Sequence, residues 1–160
     1  MVNHITYLAL GTNLGDRPAN LRAAIQALPP SIVQRQSSSI YETPPWGVEN
    51  QPAFLNMAVR CETTLEPEAL LKRIKQLEIQ LGRQQSYPWG PRLIDLDILF
   101  YDDLILNTTQ LTIPHPRLHE RAFVLVPLTE ISPDFIHPVL KKSIRELRAN
   151  VNTEGIELWK

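Results

Sequence analysis

Residues 94–101 read Ile-Asp-Leu-Asp-Ile-Leu-Phe-Tyr, an apolar run that carries two carboxylates. As a β-strand its side chains alternate between faces. Asp95, Asp97, Leu99 and Tyr101 then share one face, while Ile94, Leu96, Ile98 and Phe100 form a continuous apolar core face. Two aspartates two residues apart on a central-looking strand repel each other, and burial sharpens the repulsion. A bound cation relieves it. Hard oxygen ligands in small number suit Mg²⁺, which keeps waters and takes its remaining ligands from substrate phosphates. The plain alternative is an exposed strand face on which both aspartates are solvated, and the spacing alone does not decide between the two. Arg83 and Arg92 flank the run, with Lys72, Arg73 and Lys75 shortly before it, and all add positive charge beside the pair.

The preceding chain fixes how this strand is packed. Ile5–Leu10 is a first strand, ended by Gly11-Thr-Asn-Leu-Gly15. Asp16 is placed to cap a helix with Pro18 in its first turn, and Leu21, Ala24, Ile25 and Leu28 recur at helical spacing before Pro29-Pro30 stops it. Ile32–Tyr41 and Phe54–Glu62 read as two more strands. Pro67 opens a second helix with Leu70, Leu71, Ile74, Leu77 and Leu81 as its stripe, and Gly82 stands at its C-terminal cap. Residues 84–92 have no periodicity and read as a loop. The order β-α-β-β-α-β is that of a ferredoxin-like α+β fold, with antiparallel pairing and both helices on one face. Residues 102–160 add an apolar run at Leu104–Leu106, a Pro-His-Pro loop and a last helix carrying Leu140, Ile144 and Leu147. No second domain boundary is visible, so residues 1–160 are expected to form one domain.

Composition narrows the chemistry. The chain has 160 residues with 6 glycines against 14 prolines, and no glycine precedes a lysine. A Gly-rich backbone cradle for phosphate cannot be built from it. Phosphate must be held by side chains or metal. A net charge of −1 supplies no global field for nucleic acid. The lone Cys61 forbids an internal disulfide and is compatible with a reducing cytosol. No signal peptide or membrane span is read.

Three further positions stand out. Glu78 falls inside the apolar arc of its helix, at about 100° per residue, between Ile74 and Leu71. It needs an arginine, a nucleotide hydroxyl or the polar groups of the sheet as partner, unless it reaches from the helix end to Arg83 or Arg92. Phe54 and Asn56 put a flat ring beside an amide, a pair suited to a planar hydrogen-bonding heterocycle, although ordinary strand residues read the same way. His115 sits on a proline-stiffened loop with Arg121 and Phe123 beyond it. A structural histidine and a surface arginine remain the alternatives there.

Taken together, several segments resemble the 6-hydroxymethyl-7,8-dihydropterin pyrophosphokinases of folate biosynthesis. They are Leu10-Gly-Thr-Asn-Leu-Gly15, Tyr41-Glu-Thr-Pro-Pro-Trp-Gly47, Gln51-Pro-Ala-Phe-Leu-Asn56, Glu78-Ile-Gln-Leu-Gly-Arg83, Trp89-Gly-Pro-Arg-Leu-Ile-Asp-Leu-Asp-Ile-Leu99, Leu111-Thr-Ile-Pro-His115 and Arg121-Ala-Phe123. The resemblance implies a three-layer αβα, ferredoxin-like fold with a C-terminal extension, and pyrophosphate transfer from ATP to the pterin hydroxymethyl group with release of AMP. It implies that Asp95 and Asp97 hold two Mg²⁺ ions, with Arg83 and Arg92 as catalytic cations. Glu78, Arg83, Trp89, Arg92, Ile98, Thr112, His115 and Arg121 would bind ATP. Thr43, Pro44, Trp46, Phe54, Asn56, Asp95 and Phe123 would bind the pterin. It also implies a cytoplasmic monomer with no nucleic-acid or membrane partner.

Departures from the family pattern carry their own expectation. Many members have further basic residues between the positions of Arg83 and Trp89, where this chain has Gln84-Gln-Ser-Tyr-Pro88. Gln110 replaces a frequent basic residue, and Phe54 stands where tyrosine is common. Weaker loop-borne phosphate contact and slower chemistry are expected. From the aspartate pair alone, a metal-dependent phosphohydrolase or nuclease is the alternative enzyme. A ferredoxin-like nucleic-acid-binding module is the non-enzymatic one, disfavoured by the charge and by the missing aromatic RNA-binding pattern.

Overall fold

In a computed structural model, residues 2–44, 51–82 and 93–160 are described. Trp46, Arg83, Trp89 and Arg92, with the loop expected at 84–92, lie outside the described residues.

Strand β1 (His4–Thr12) leads into α1 (Arg17–Ala27), whose first turn is capped by the Asp16 carboxylate accepting from the Ala19 N–H at 3.1 Å. Strands β2 (Ile32–Ser37), β3 (Tyr41–Thr43) and β4 (Phe54–Thr63) follow. Helix α2 (Pro67–Gln80) then precedes β5 (Asp95–Tyr101), and Gly82 takes φ +88° just past the helix end, a left-handed conformation that favours glycine. A small hairpin of β6 (Leu106–Asn107) and β7 (Thr112–Ile113) precedes α3 (Ala122–Ile131), α4 (Ile144–Ala149) and β8 (Glu157–Leu158).

Among the described residues the main sheet runs β5-β1-β4-β3-β8, with β2 also paired to β4, and every pairing is antiparallel. One face is packed by the apolar sides of α1 and α2. Leu21, Leu28, Leu70, Ile74 and Leu77 close there over Leu8, Leu10, Leu55, Val59 and Leu96. The other face is covered over part of its length by α3 and α4, where Val124, Leu125, Leu128, Ile144 and Leu147 meet Tyr7, Ala58, Leu99 and Phe100. Among the described residues no helix is long and apolar enough to cross a membrane.

Four expectations need correction. The strand expected over 32–41 is broken, because the Ser38 hydroxyl accepts from the Ala58 N–H at 2.9 Å and donates to the Ser39 carbonyl at 2.7 Å, competing with the ladder. Strand β5 is at the edge of the described sheet rather than central. Its simple alternation also fails. Leu8 pairs Ile98 while Tyr7 pairs Phe100, so an extra residue is accommodated as a bulge. Leu99 and Phe100 therefore both reach the α3 side, and Tyr101 turns to the α1–α2 side. Finally, α3 was not foreseen and the last helix starts at Ile144, without Leu140. Helix α3 reads Ala-Phe-Val-Leu-Val-Pro-Leu-Thr-Glu-Ile, apolar almost all round with Pro127 inside, so it has no amphipathic stripe to recognise.

Candidate active site

On the α3 side of the sheet, the described residues at the end of β1 and the starts of β5 and β4 lie outside the apolar cluster beneath α3 and α4, and the cross-strand register defines what stands there. Asp95, Gly11 and Asn56 form one row, continued by Tyr41 of β3. Asp97, Ala9 and Ala58 form the next row on the same face. The central strand thus contributes its smallest residues between two carboxylates and an amide. At Gly11 this is required, since a Cβ would stand 2.9 Å from Asn56 Oδ1. Asn56 is buried, and its Nδ2 donates to the Thr43 hydroxyl at 2.8 Å. Phe54, opposite Thr43, carries the same face outward. Ring, amide, hydroxyl and carboxylate therefore border a floor whose centre, among the described residues, is made by Gly11, Ala9 and Ala58.

Asp97 pairs with Ala9 of β1 and shares its face with Asp95. Burial, then the neighbouring Asp95, pushes its carboxyl up to about 6, against the pull of Lys75 and Arg121. Burial disfavours the charged form, and the like charge two residues away adds to it. Glu78 is 1 % exposed, and its Oε2 accepts from the Leu96 N–H at 2.8 Å, between the two aspartates in sequence. Lys75 Nζ donates to its Oε1 at 3.3 Å. One partner of Glu78 is therefore the polar backbone of the sheet, as its place in the apolar arc demanded. It binds α2 to the edge strand that carries the aspartates.

His115 is tied to the same strand, its backbone N–H donating to the Leu99 carbonyl at 3.0 Å. Its Nδ1 accepts from the Arg117 N–H at 3.2 Å, which assigns the ring proton of the neutral imidazole to Nε2. Burial, then the Arg121 charge, lowers this histidine to about 4, and Asp95 offsets only part of it. It is a neutral N–H donor at pH 7. Arg121 stands at the N-terminal boundary of α3, where its guanidinium lies 5.6 Å from the Phe123 ring centroid and its charge acts on Asp97.

Beyond the edge of β5, a cavity of about 270 Å³ opens between α2 and the β6–β7 hairpin. Asp97, Ile98, Thr112 and His115 line it, together with Lys75 and the turn Thr108–Gln110. The floor and the cavity meet at Asp97. Among the described residues no three His, Cys, Asp or Glu side chains gather as a metal-holding group.

The sequence model for 7,8-dihydro-6-hydroxymethylpterin-pyrophosphokinase (HPPK) matches residues 7–133. The chain belongs to the HPPK family. It is 45% identical over 161 residues to the 2-amino-4-hydroxy-6-hydroxymethyldihydropteridine pyrophosphokinase of Bacillus subtilis, covering 99% of this chain and 92% of that protein. The Aquifex aeolicus protein of the same name is 43% identical over 142 residues, 89% of each chain. The folic acid synthesis protein FOL1 of Dictyostelium discoideum is 42% identical over 153 residues, 96% of this chain but 23% of that protein. Among solved structures, wild-type Plasmodium falciparum HPPK-DHPS with SDX-DHP superposes with a TM-score of 0.74 at 20% identity, covering 97% of this chain. The present chain spans about half of that longer chain, 47% of it, and the likeness shows the fold.

Of the site residues expected for an HPPK, Thr43, Phe54, Asn56 and Asp95 border the floor, while Asp97, Ile98, Thr112 and His115 line the cavity. Arg121 and Phe123 stand at the start of α3, and Pro44 follows directly on Thr43. Sequence reading missed the floor itself. Gly11 lies within Leu10-Gly-Thr-Asn-Leu-Gly15, but its role depends on the register that sets it between Asp95 and Asn56. The Thr108–Gln110 turn was also missed, having no signal beyond its polar composition.

Proposed function

We infer that this chain performs the HPPK reaction, moving pyrophosphate from ATP to the hydroxymethyl oxygen of 6-hydroxymethyl-7,8-dihydropterin. The pterin hydroxyl loses its proton and bonds to the β-phosphorus of ATP as the bond from that phosphorus to the α-phosphate oxygen breaks. The products are AMP and the pterin diphosphate, a step towards tetrahydrofolate. The observation that carries this reading is the aspartate pair at the junction of floor and cavity, in a chain of this family. The alternative of a phosphohydrolase or nuclease built on the same aspartates finds no support in that family assignment.

The donor set fits Mg²⁺. Among the described residues it consists of two carboxylates, hard oxygen donors on one face and in mutual repulsion. When bound, two such ions would neutralise phosphate charge and orient the β-phosphorus towards its acceptor. The remaining work is positioning and charge stabilisation. His115 offers Nε2–H and Arg121 a full cation to phosphate oxygens, while Thr112 and Ile98 border the nucleotide. Glu78 keeps the aspartate strand in place from behind, on the nucleotide side. Phe54 and Phe123 enclose the pterin ring, and Asn56, Thr43 and Asp95 read its polar edge, with Pro44 and Trp46 as further pterin-binding residues. Arg83 and Arg92 act as catalytic cations and Trp89 binds ATP.

The strand order and the placement of α1 and α2 support reading the fold as ferredoxin-like, in one domain over 1–160, with the segment beyond β5 as its extension. A monomer working in the cytoplasm completes the proposal. AMP formation should require the pterin in an ATP assay. Pterin-independent phosphate release, or activity surviving both Asp95→Ala and Asp97→Ala with the fold retained, would overturn it. The uncharged Gln84–Pro88 interval is expected to slow chemistry; an Arg-Lys insertion there should raise the single-turnover rate, and an unchanged rate removes that point.

A further inference from the structure

The reverse side of the pterin floor is held by a part of the chain to which the reaction assigns no task. Strand β8 adds to the outer edge of β3, pairing Leu158 with Tyr41 and Glu157 with Glu42. The Trp159 N–H donates to the Ile40 carbonyl at 2.9 Å. Opposite residues of an antiparallel pair share a face. Trp159, two residues beyond Glu157, therefore lies on the Glu42 side of the sheet, away from Thr43. On that side the Arg17 guanidinium sits 5.0 Å from the Trp159 ring centroid. The same Arg17 Nη1 donates to Glu42 Oε2 at 2.8 Å and to the Ala53 carbonyl at 2.8 Å. One side chain thus ties the residue before Thr43 to the residue before Phe54. The approach to Thr43 is fixed a second time at Gly155, whose φ of +86° brings it so near that a Cβ would stand 3.1 Å from Pro44 Cγ.

We propose that Arg17, Glu42 and Trp159 form a clamp that sets the spacing of Thr43 and Pro44 relative to Phe54 and Asn56. They are positioning residues for the pterin and touch neither substrate. The geometry explains why the clamp acts selectively. Its contacts end on β3 and the start of β4, whereas the cavity assigned to ATP is formed by α2, β5 and the β6–β7 hairpin. Loosening the clamp shifts the hydroxyl and ring that frame one substrate and leaves the other site in place. A displacement of about 1 Å suffices to weaken a preorganised site. The proposal rests on the pterin reading given above for this floor.

The test compares Trp159→Ala and Trp159→Phe in the full chain. Dissociation constants are measured for the hydroxymethyl-dihydropterin and for a non-hydrolysable ATP analogue, with amide hydrogen exchange at Thr43 and Asn56. Trp159→Ala should weaken pterin binding about tenfold, leave the ATP analogue within about twofold, and speed exchange at both amides. Trp159→Phe, which keeps an aromatic face for Arg17, should restore most of the affinity. Equal weakening of both ligands, or no change in either ligand and in exchange, overturns the clamp. Should Trp159→Ala fail to fold, Glu42→Gln, which removes one charge and no strand pairing, is read by the same criteria. If the unaltered chain binds no pterin, the proposed function falls, and the clamp stands or falls on the exchange rates alone.

Discussion

The α3 side of the sheet has two halves made by the same strands, and they differ in what the strands place there. Towards the start of β1 and the end of β5, Tyr7, Leu99 and Phe100 are buried beneath α3 and α4, with Phe100 4.6 Å from Phe135 between ring centroids. Towards the other ends, Gly11, Asn56, Asp95 and Asp97 occupy the equivalent face. The bulge opposite Tyr7 marks the change. Beyond it β5 offers the covering helices two successive apolar side chains; before it, alternation presents aspartates. The covered half stores stability. The open half accepts electrostatic strain, which a bound cation would relieve.

That division is broken or sharpened first by paired substitutions. Asp97→Ala should reduce kcat on the order of 10³-fold or more, the scale expected when a charge-stabilising group is lost. Its Tm in metal-free protein should stay level or rise, because the substitution removes a repelled, buried carboxylate. Phe100→Ala should do the reverse. It leaves a cavity beneath α3 and costs about 3–5 kcal/mol in denaturant unfolding, while substrate KM values measured on the folded fraction remain close to those of the parent. A large loss of stability in Asp97→Ala would show that the open half is core after all.

Gly11→Ala probes the open half without touching a charge. The new methyl must displace the Asn56 amide, which it would otherwise meet at 2.9 Å. The pterin KM should rise about tenfold and the ATP KM stay level, with a stability cost of about 1–3 kcal/mol as for other overpacked sites. Equal changes in both KM values would mean that Gly11 serves the strand rather than the floor.

A pH titration of metal-free protein separates two opposing groups in the open half. His115 is depressed from 6.5 to about 4, so the unfolded chain takes up its proton first and stability falls as pH drops through that interval. Asp97 is raised from 3.8 to about 6, so the folded chain takes up its proton first and stability rises as pH drops from 6 towards 3.8. The two contributions largely cancel between pH 6 and 4. His115→Gln should therefore make the protein relatively more stable at pH 4 than at pH 6, and Asp97→Asn relatively less stable, each compared with the parent. Parallel profiles for all three proteins would deny the coupling of these groups to folding.

How much of this was legible in the sequence follows from what each feature depends on. Strands, helices and the aspartate pair were legible because period, proline and glycine are local signals, and Asp16 and Gly82 cap as their residue types demand. Glu78 was legible as an anomaly, since an acid in an apolar arc must find a partner, although nothing local singled out the Leu96 N–H. The bulge in β5 was not legible, because it arises from register against Tyr7 and Leu8 of another strand. Gly11 is a floor only by virtue of the residues beside it, 45 positions on at Asn56 and far beyond at Asp95. Helix α3 hid because burial on nearly all sides removes the stripe that periodicity detects.

The smallest predicted effect tests how independent the halves are. Helix α4 has six residues, too few to persist without tertiary contacts and good ends. Its capping box supplies one end: the Ser143 hydroxyl accepts from the Glu146 N–H at 3.1 Å, and the Glu146 carboxylate accepts from the Ser143 N–H at 3.0 Å. Hydrogen bonding from Ser143, its backbone N–H first and then its side chain, holds the Glu146 carboxyl below the usual carboxylate range. Ser143→Ala removes one of the two interactions and should cost about 1 kcal/mol, read as a Tm lower by roughly 2–4 °C for a chain of this size. Ile144 and Leu147 would remain seated on the covered half, so neither KM should move. A shift in the pterin KM from this substitution would show that α4 transmits strain across the sheet to Gly11 and Asn56, and the two halves would then have to be treated as one mechanical unit.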